Sequence, residues 1–182
     1  MGLSLVLSTQ ASAGSRVAAP QKPGEQSDFA MEDESLEHAI DIPASVLALL
    51  RSDPFVLSCL EPGQSPNDII ANWFIGSAIH LNNSRNVGLV VQPRKQPTAI
   101  QPCLLHAHSI PFWVFIETQD GYALALKDTV QTLRILHTKS NGYCDIETSI
   151  STLSGQTKWF YKFDGRKYEL FRKTSSATQG SN

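Results

Sequence analysis

Three pairs of turn-forming residues constrain the fold of this chain more than any other feature. They are Asp120-Gly121, Asn141-Gly142 and Asp164-Gly165, and each pair lies between two short runs that contain apolar residues. Asp-Gly and Asn-Gly tolerate the positive φ angles that tight hairpin turns require. Because short turns join neighbouring antiparallel strands, the second half of the chain is predicted to form an antiparallel meander.

Runs with the residue preferences of β-strands extend from residue 73 to near the C-terminus. In chain order they are Phe74–Leu81, Val87–Val91, Phe112–Ile116, Tyr122–Leu126, Thr132–Leu136, Cys144–Ile150, Trp159–Phe163 and Arg166–Phe171. β-Branched and aromatic residues favour strands, and side chains at alternate positions share a face. In the last hairpin Trp159, Tyr161 and Phe163 are therefore predicted to point the same way.

Helical spacing precedes these strands. Apolar residues within Ile42–Leu50 recur at i, i+4, i+7 and i+8 and form one stripe. Pro43 suits the first position of a helix, because its missing N–H would have no partner there, and Asp53-Pro54 ends the helix. Phe55–Leu60 predicts a second short helical piece. The predicted fold is therefore α+β, with one or two N-terminal helices packed on an antiparallel β-meander or half-barrel of about seven strands.

The length and composition suit one domain with two tails. The chain has 182 residues, of which 41% are hydrophobic, enough for a core of its own. Residues 1–40 are rich in Ser, Gly, Gln, Pro and acidic residues with little apolar periodicity, which predicts a disordered N-terminal tail. The single α+β domain is predicted at 41–173, and residues 174–182 are predicted to form a disordered C-terminal tail.

The start of the chain is open to two interpretations. Leu3–Leu7 is a short apolar run, and Ala11-Ser12-Ala13 places small residues at positions −3 and −1 of a signal-peptidase site. The run lacks a preceding basic residue and is shorter than a usual signal sequence. It is either a truncated signal peptide, which makes the protein periplasmic or secreted, or part of a disordered tail, in which case the protein is cytoplasmic.

Charge and hydropathy exclude two classes of function. The net charge is −2 and the isoelectric point about 6.2, so the chain has no basic surplus to neutralise phosphates, and nucleic acid is not an expected partner. No apolar run reaches the roughly 18 residues of a membrane-spanning helix. Motifs of common enzyme sites, such as a P-loop or His-Glu-x-x-His, do not occur.

The cysteines allow two interpretations as well. Cys59, Cys103 and Cys144 lie far apart and lack the spacing of a zinc site. An odd number leaves at least one thiol unpaired in a monomer. All three can be buried free thiols, because a free cysteine behaves as a small hydrophobe. If the protein is exported to an oxidising compartment, a Cys59–Cys103 disulfide is the preferred pairing.

Short motifs in the ordered part are similar to those of a known group of proteins. In chain order they are Leu50–Pro54, Cys59-Leu60, Trp73-Phe74, His80-Leu81, Pro102–Leu104, Pro111–Phe115, Asn141–Tyr143 with Asp145-Ile146, and Tyr161–Tyr168. Through them residues 42–172 resemble a set of small, mostly uncharacterised exported proteins of Gram-negative bacteria. The resemblance implies export and the Cys59–Cys103 disulfide, but no known activity and no catalytic residue. Where that group is expected to have a Gly-Ala-Asn-like segment, this chain has His106-Ala107-His108.

His106 and His108 are the candidate metal ligands. On a strand the side chains at i and i+2 face the same way, so this pair can present two imidazoles to one zinc ion. A zinc site needs at least one more ligand, and nothing in the sequence fixes one beside them. The alternative is a pair of partly exposed histidines on the connection before the strand that begins at Pro111.

The C-terminal hairpin is both basic and aromatic. Its candidate ligand surface consists of Trp159, Tyr161, Arg166, Lys167 and Tyr168. Lys162, Arg172 and Lys173 add to the positive charge. This mixture is typical of surfaces that bind acidic or polymeric ligands. It is equally typical of a solvated sheet edge, where lysine discourages pairing with another edge.

These features favour a small exported binding protein, similar to an inhibitor or an immunity protein, that acts by surface recognition without catalysis. Its partner is expected to be another protein or an envelope polymer. Two other functions stay open. One is a metal-dependent enzyme that uses His106 and His108, and the other is a structural component of the cell envelope.

Overall fold

The computed structural model describes residues 28–33, 36, 39–82, 87–95 and 102–177. This part of the chain is mainly β and forms two antiparallel sheets of five strands each. The outer sheet has the order β1 (Asp28–Ala30), β7 (Thr132–Ser140), β8 (Tyr143–Thr152), β9 (Gly155–Phe163) and β10 (Tyr168–Ala177). The central sheet has the order β2 (Ala39–Ile40), β3 (Phe74–Ile79), β4 (Gly88–Pro93), β5 (Ile110–Thr118) and β6 (Gly121–Val130).

The α+β prediction, with helices on a single meander or half-barrel of about seven strands, is wrong. The chain leaves the central sheet at Val130 and enters the outer sheet at Thr132, so Gln131 is the one residue between β6 and β7 in the sequence. Short connections predict that consecutive strands are neighbours in space, but they do not show whether the next strand stays in the same sheet. The strands assigned to one meander are therefore divided between two packed sheets.

Side chains from both sheets form the main hydrophobic core between them. β5 contributes to this core with Phe112 and Val114, whereas its Trp113 and Phe115 lie on the opposite face of the central sheet. All four side chains are at most 1% exposed. Successive residues of a strand point to opposite faces, so a strand that is covered on both sides is apolar at every position. This explains why the apolar run of β5 is uninterrupted.

Two short helices cover the other face of the central sheet. They are α1 (Ala44–Arg51) and α2 (Pro54–Ser58), and both agree with the predicted helical segments. Buried Leu50 and Val56 share a hydrophobic cluster with Trp113 of β5. Helices this short are not stable in water on their own, so packing against the sheet holds them in place.

Asp53 ties α2 to the sheet below it. Its Oδ1 accepts hydrogen bonds from the N–H groups of Phe55 and Val56 and thereby caps the helix. Trp113 Nε1 donates to Oδ2 at 3.1 Å, and Lys127 Nζ donates to the two carboxylate oxygens at 2.7 and 2.8 Å. Asp53 is only 8% exposed, so these donors replace water around a buried negative charge.

The Cys59–Cys103 disulfide is present, which confirms the predicted pairing. Cys59 follows the last residue of α2, and Cys103 lies in the 3₁₀ turn Pro102–Leu104. The bridge therefore fastens the connection before β5 to the helical layer. The two cysteines are 44 residues apart in the sequence. Cys144 of β8 is a buried free thiol.

The three predicted hairpin turns are confirmed. Each lies between two consecutive strands that pair in antiparallel fashion, β5 with β6, β7 with β8 and β9 with β10. In the second turn Asn141 has a φ of 48° and Gly142 a φ of 81°. These two consecutive positive values are what a tight hairpin turn demands, and they explain the choice of Asn and Gly there.

The structured region extends past the predicted domain limits of 41 and 173. β1 lies inside the segment that is predicted as an N-terminal tail, yet it pairs with β7 and leaves Phe29 only 5% exposed. At the other end β10 continues to Ala177. Much of the two predicted tails, including the candidate signal peptide, lies outside the described residues. No described helix is long and apolar enough to cross a membrane.

Candidate functional site

The structure does not gather the predicted ligand surface into one patch. Tyr168 is only 5% exposed and lies in the core between the sheets. Trp159 and Tyr161 are half-buried and pack against the same core. Arg166 and Lys167 are exposed in the turn between β9 and β10. The three aromatic residues thus pack against the core, Trp159 and Tyr161 stay partly accessible, and the two cations are open to solvent.

Tyr161 links the two sheets through a shared carboxylate. Asp128 of β6 lies in the central sheet, and its Oδ2 accepts a hydrogen bond from Tyr161 Oη at 2.8 Å. The same oxygen accepts a hydrogen bond from Thr148 Oγ1 of β8 at 2.7 Å. Burial and the neighbouring Asp128 carboxylate both raise the pKa of Tyr161 above its ordinary value. The phenol therefore stays protonated and acts as a donor.

Replacing Tyr161 by phenylalanine is expected to lower the free energy of unfolding by about 2 kcal/mol, because the variant loses a hydrogen bond to a charged group. Urea unfolding at neutral pH measures the difference. Tyr143→Phe is the matched control, since Tyr143 is also half-buried and its ring packs against Phe163 at 4.1 Å. Equal losses in the two variants would show that the Asp128 contact contributes nothing specific.

An open groove lies on the face of the outer sheet that points away from the central sheet. Its volume is about 440 Å³. Apolar, cationic and acidic side chains meet in it. The residues that line this outer groove are Leu136, Thr138, Lys139, Asp145, Phe160, Tyr161, Lys162, Phe171 and Arg172. Three of them are cations and one is a carboxylate, so the groove is positively charged although the whole chain has a net charge of −2.

A β-bulge shapes the wall of the groove. The pairing of β10 with β9 shifts register between Leu170 and Arg172. In a regular strand consecutive residues point to opposite faces, but a bulge places two residues opposite one and re-aims a side chain. Phe171 and Arg172 therefore both line the groove. Phe171 is 64% exposed, so its ring presents an apolar surface to solvent beside Arg172.

Each cation of the hairpin that lines the groove lies over an aromatic ring. Lys162 Nζ is 4.0 Å from the centroid of the Phe171 ring, and Arg172 Cζ is 4.2 Å from that of Phe160. A cation within about 6 Å of an aromatic face is attracted to it. These contacts hold the two long side chains in place, which reduces the entropy lost when they contact a ligand.

Asp145 is the acidic residue of the groove. It is 6% exposed, and its Oδ1 is buried without a hydrogen-bond partner among the described residues. A buried carboxylate oxygen without a donor costs free energy, and most buried polar atoms in native proteins have partners. Asp145 is therefore the polar group in the groove whose hydrogen bonding is incomplete.

The two histidines lie on the opposite side of the central sheet, in the tight turn before β5. Both are exposed, and the His106 ring lies 5.5 Å from the Phe55 ring of α2. The His106 N–H donates to the Ser109 carbonyl oxygen, which closes the turn. Among the described residues no group of three or more histidine, cysteine, aspartate or glutamate side chains is placed to hold a metal ion. Zinc binding by His106 and His108 stays a prediction.

The sequence did contain a signal for part of the groove. Phe160 and Lys162 alternate with Trp159, Tyr161 and Phe163, so β9 has aromatic residues on both faces and lysine on the face of Phe160. Alternation separates the two faces but does not show which one is buried. Nothing in the sequence of β10 marks the bulge, so the position of Phe171 beside Arg172 in the groove required the structure.

Comparison with known proteins adds no assignment to this geometry, because no family model, no curated protein and no solved structure matches the chain.

Proposed function

We propose that the protein is an exported binding protein that recognises an anionic partner through the outer groove, without catalysis. The observation that carries the proposal is the pair of cations, Lys162 and Arg172, held over aromatic rings in an open groove of about 440 Å³. Ligand sites combine apolar walls with a few fixed polar groups in this way. Histidine, cysteine and serine are absent from the described residues that line the groove.

The charge of the groove supports an anionic partner. Lys139, Lys162 and Arg172 outnumber the single carboxylate of Asp145. Complementary charge raises the rate of association and excludes partners of the wrong sign. A positive groove on a chain of net charge −2 also directs an anion to one face of the molecule.

The disulfide supports export. Disulfides persist in the periplasm and outside the cell, whereas thiols stay reduced in most cytosolic proteins. The Cys59–Cys103 bridge therefore suits a protein that meets its partner in the cell envelope. Partners of that kind include acidic polymers and the acidic surfaces of other proteins.

Removing both hairpin cations of the groove is expected to weaken the binding of anionic probes by at least about tenfold, since even one charge-assisted contact contributes roughly 1.5–3 kcal/mol. The variant is Lys162→Ala/Arg172→Ala. The probes are oligogalacturonide, polyphosphate and poly-glutamate, titrated calorimetrically at low salt. The matched control is Arg166→Ala/Lys167→Ala, which removes two exposed cations from the adjacent turn and changes the net charge equally.

The control separates site binding from general attraction. Saturable binding that survives in the turn variant but not in the groove variant supports the proposal. If no probe binds the wild type, or if both double variants lose binding to the same extent, the outer groove is not a recognition site for anions.

A further inference from the structure

We propose that the outer groove takes an acidic glycan, a hydroxyl-rich sugar chain that carries carboxylate groups. This inference rests on the proposed function and names the ligand class of the same groove. It depends on three features that one ligand must satisfy together: the hairpin cations, the incomplete hydrogen bonding of Asp145, and the apolar part of the lining.

The cations favour a negatively charged group, whereas Asp145 favours a hydrogen-bond donor, and one ligand has to carry both. Lys162 and Arg172 favour a carboxylate or phosphate. Asp145 is more than nine-tenths buried, and its Oδ1 lacks a partner among the described residues, so it favours a small hydrogen-bond donor. A sugar acid carries both groups within one ring, because its hydroxyls lie next to its carboxylate. A chain of phosphates has no such donor and would be repelled by Asp145.

The apolar part of the lining fits the same ligand. Leu136, Phe160 and Phe171 line the groove beside the cations. The C–H face of a sugar ring is apolar and can pack against such side chains while its hydroxyls point outward. The groove volume of about 440 Å³ lies within the range of small-ligand sites, roughly 300–1,000 Å³, so a short segment of the sugar chain can enter it.

The position of the groove favours a glycan over an acidic peptide. Extended peptides that bind sheets usually add a strand at an edge, where main-chain groups are available for hydrogen bonds. The groove instead lies on the face of β7, β8, β9 and β10, although the pairing of β7 with β8 is interrupted between Ile135 and Lys139 and the pairing of β8 with β9 begins at Ile146. Its contacts with a ligand come mainly from side chains on that face, which suits a ligand that is recognised through its own hydroxyl and carboxylate groups.

Calorimetric titration of the full chain with four probes tests the glycan. They are an oligogalacturonide, the same oligosaccharide with all carboxylates methyl-esterified, poly-glutamate and polyphosphate. The oligogalacturonide is expected to bind at least tenfold more tightly than each of the others. The ester keeps the sugar ring and its hydroxyls but removes the charge, and poly-glutamate keeps the carboxylates but has no sugar. Asp145→Asn is expected to weaken oligogalacturonide binding and to strengthen polyphosphate binding, so that the ratio of the two affinities falls at least tenfold.

The outcomes separate the glycan from the proposed function. The proposal of an acidic glycan is wrong if poly-glutamate or polyphosphate binds the wild type as tightly as the oligogalacturonide, or if Asp145→Asn changes all affinities equally. In either case the proposed recognition of anions still stands. If none of the charged probes binds, the proposed function fails with it. Circular dichroism checks that the variant is folded, and if it is not, the preference of the wild type among the four probes decides.

Discussion

Replacing Cys59 and Cys103 together by alanine is expected to lower the free energy of unfolding by about 4 kcal/mol. The disulfide closes a loop across 44 residues of sequence. Closing a loop of that length removes much conformational entropy from the unfolded chain and so favours the folded state. Guanidinium unfolding of the variant, compared with the oxidised wild type, measures the loss. Reduction of the wild type with dithiothreitol is expected to give a similar shift of the midpoint.

The control for this effect is the third cysteine. Cys144 is buried but makes no disulfide, so Cys144→Ala removes a sulfur atom from the core without opening a loop. Its cost is expected to stay near 1 kcal/mol, the typical effect of a single substitution. If the double variant at Cys59 and Cys103 loses no more than that, the bridge does not hold the helical layer as the structure implies.

Asp53→Ala is expected to cost about 3–5 kcal/mol, because it leaves a cation in a partly buried site without its partner and removes a helix cap. The variant loses the hydrogen bonds to Lys127 and Trp113 and the cap of α2 in one step. Asp53→Asn is expected to lose less, since the amide oxygen can still cap the helix. A double-mutant cycle with Lys127→Met, measured by urea unfolding, isolates the contribution of the ion pair. A coupling energy near zero would contradict the assigned role.

The same carboxylate should make stability depend on pH. Burial alone would raise the pKa of Asp53, but hydrogen bonds from Lys127, Trp113 and the Val56 amide outweigh it and leave the pKa below its ordinary value of 3.8. The unfolded chain therefore takes up the proton first as the pH falls. The stability that the ionised Asp53 carboxylate contributes is fully present above the pKa of Asp53 in the unfolded chain. It is lost as the pH drops through the pKa of Asp53 in the folded protein. Wild type should lose stability more steeply than Asp53→Asn below about pH 4.

The local elements could be predicted from the sequence because their causes are local. Asp164-Gly165 and Asn141-Gly142 specify tight turns through their own backbone preferences, and the strands on either side follow from alternation. Helix α1 follows in the same way from the spacing of its apolar residues. These signals lie within a dozen positions of the structure that they determine.

The features that the sequence did not reveal depend on contacts between distant segments. Phe29 is buried because β1 pairs with β7, and no pattern near residue 29 indicates that partner. The passage from one sheet to the other at Gln131 has no turn signal at all. The residues of the predicted ligand surface are divided for a related reason, since Tyr168 and Tyr161 pack against a core that forms only when the two sheets come together.

The strand order has a consequence for how the chain folds. Within each sheet the pairings join consecutive strands, with one exception among the described strands, the pairing of β1 with β7. Contacts between close segments form quickly, whereas bringing distant segments together costs loop-closure entropy first. Strands β7 to β10 of the outer sheet can therefore assemble as a series of hairpins, and β1 joins the edge of that sheet afterwards. The outer sheet would then carry its groove before the N-terminal strand has found its place.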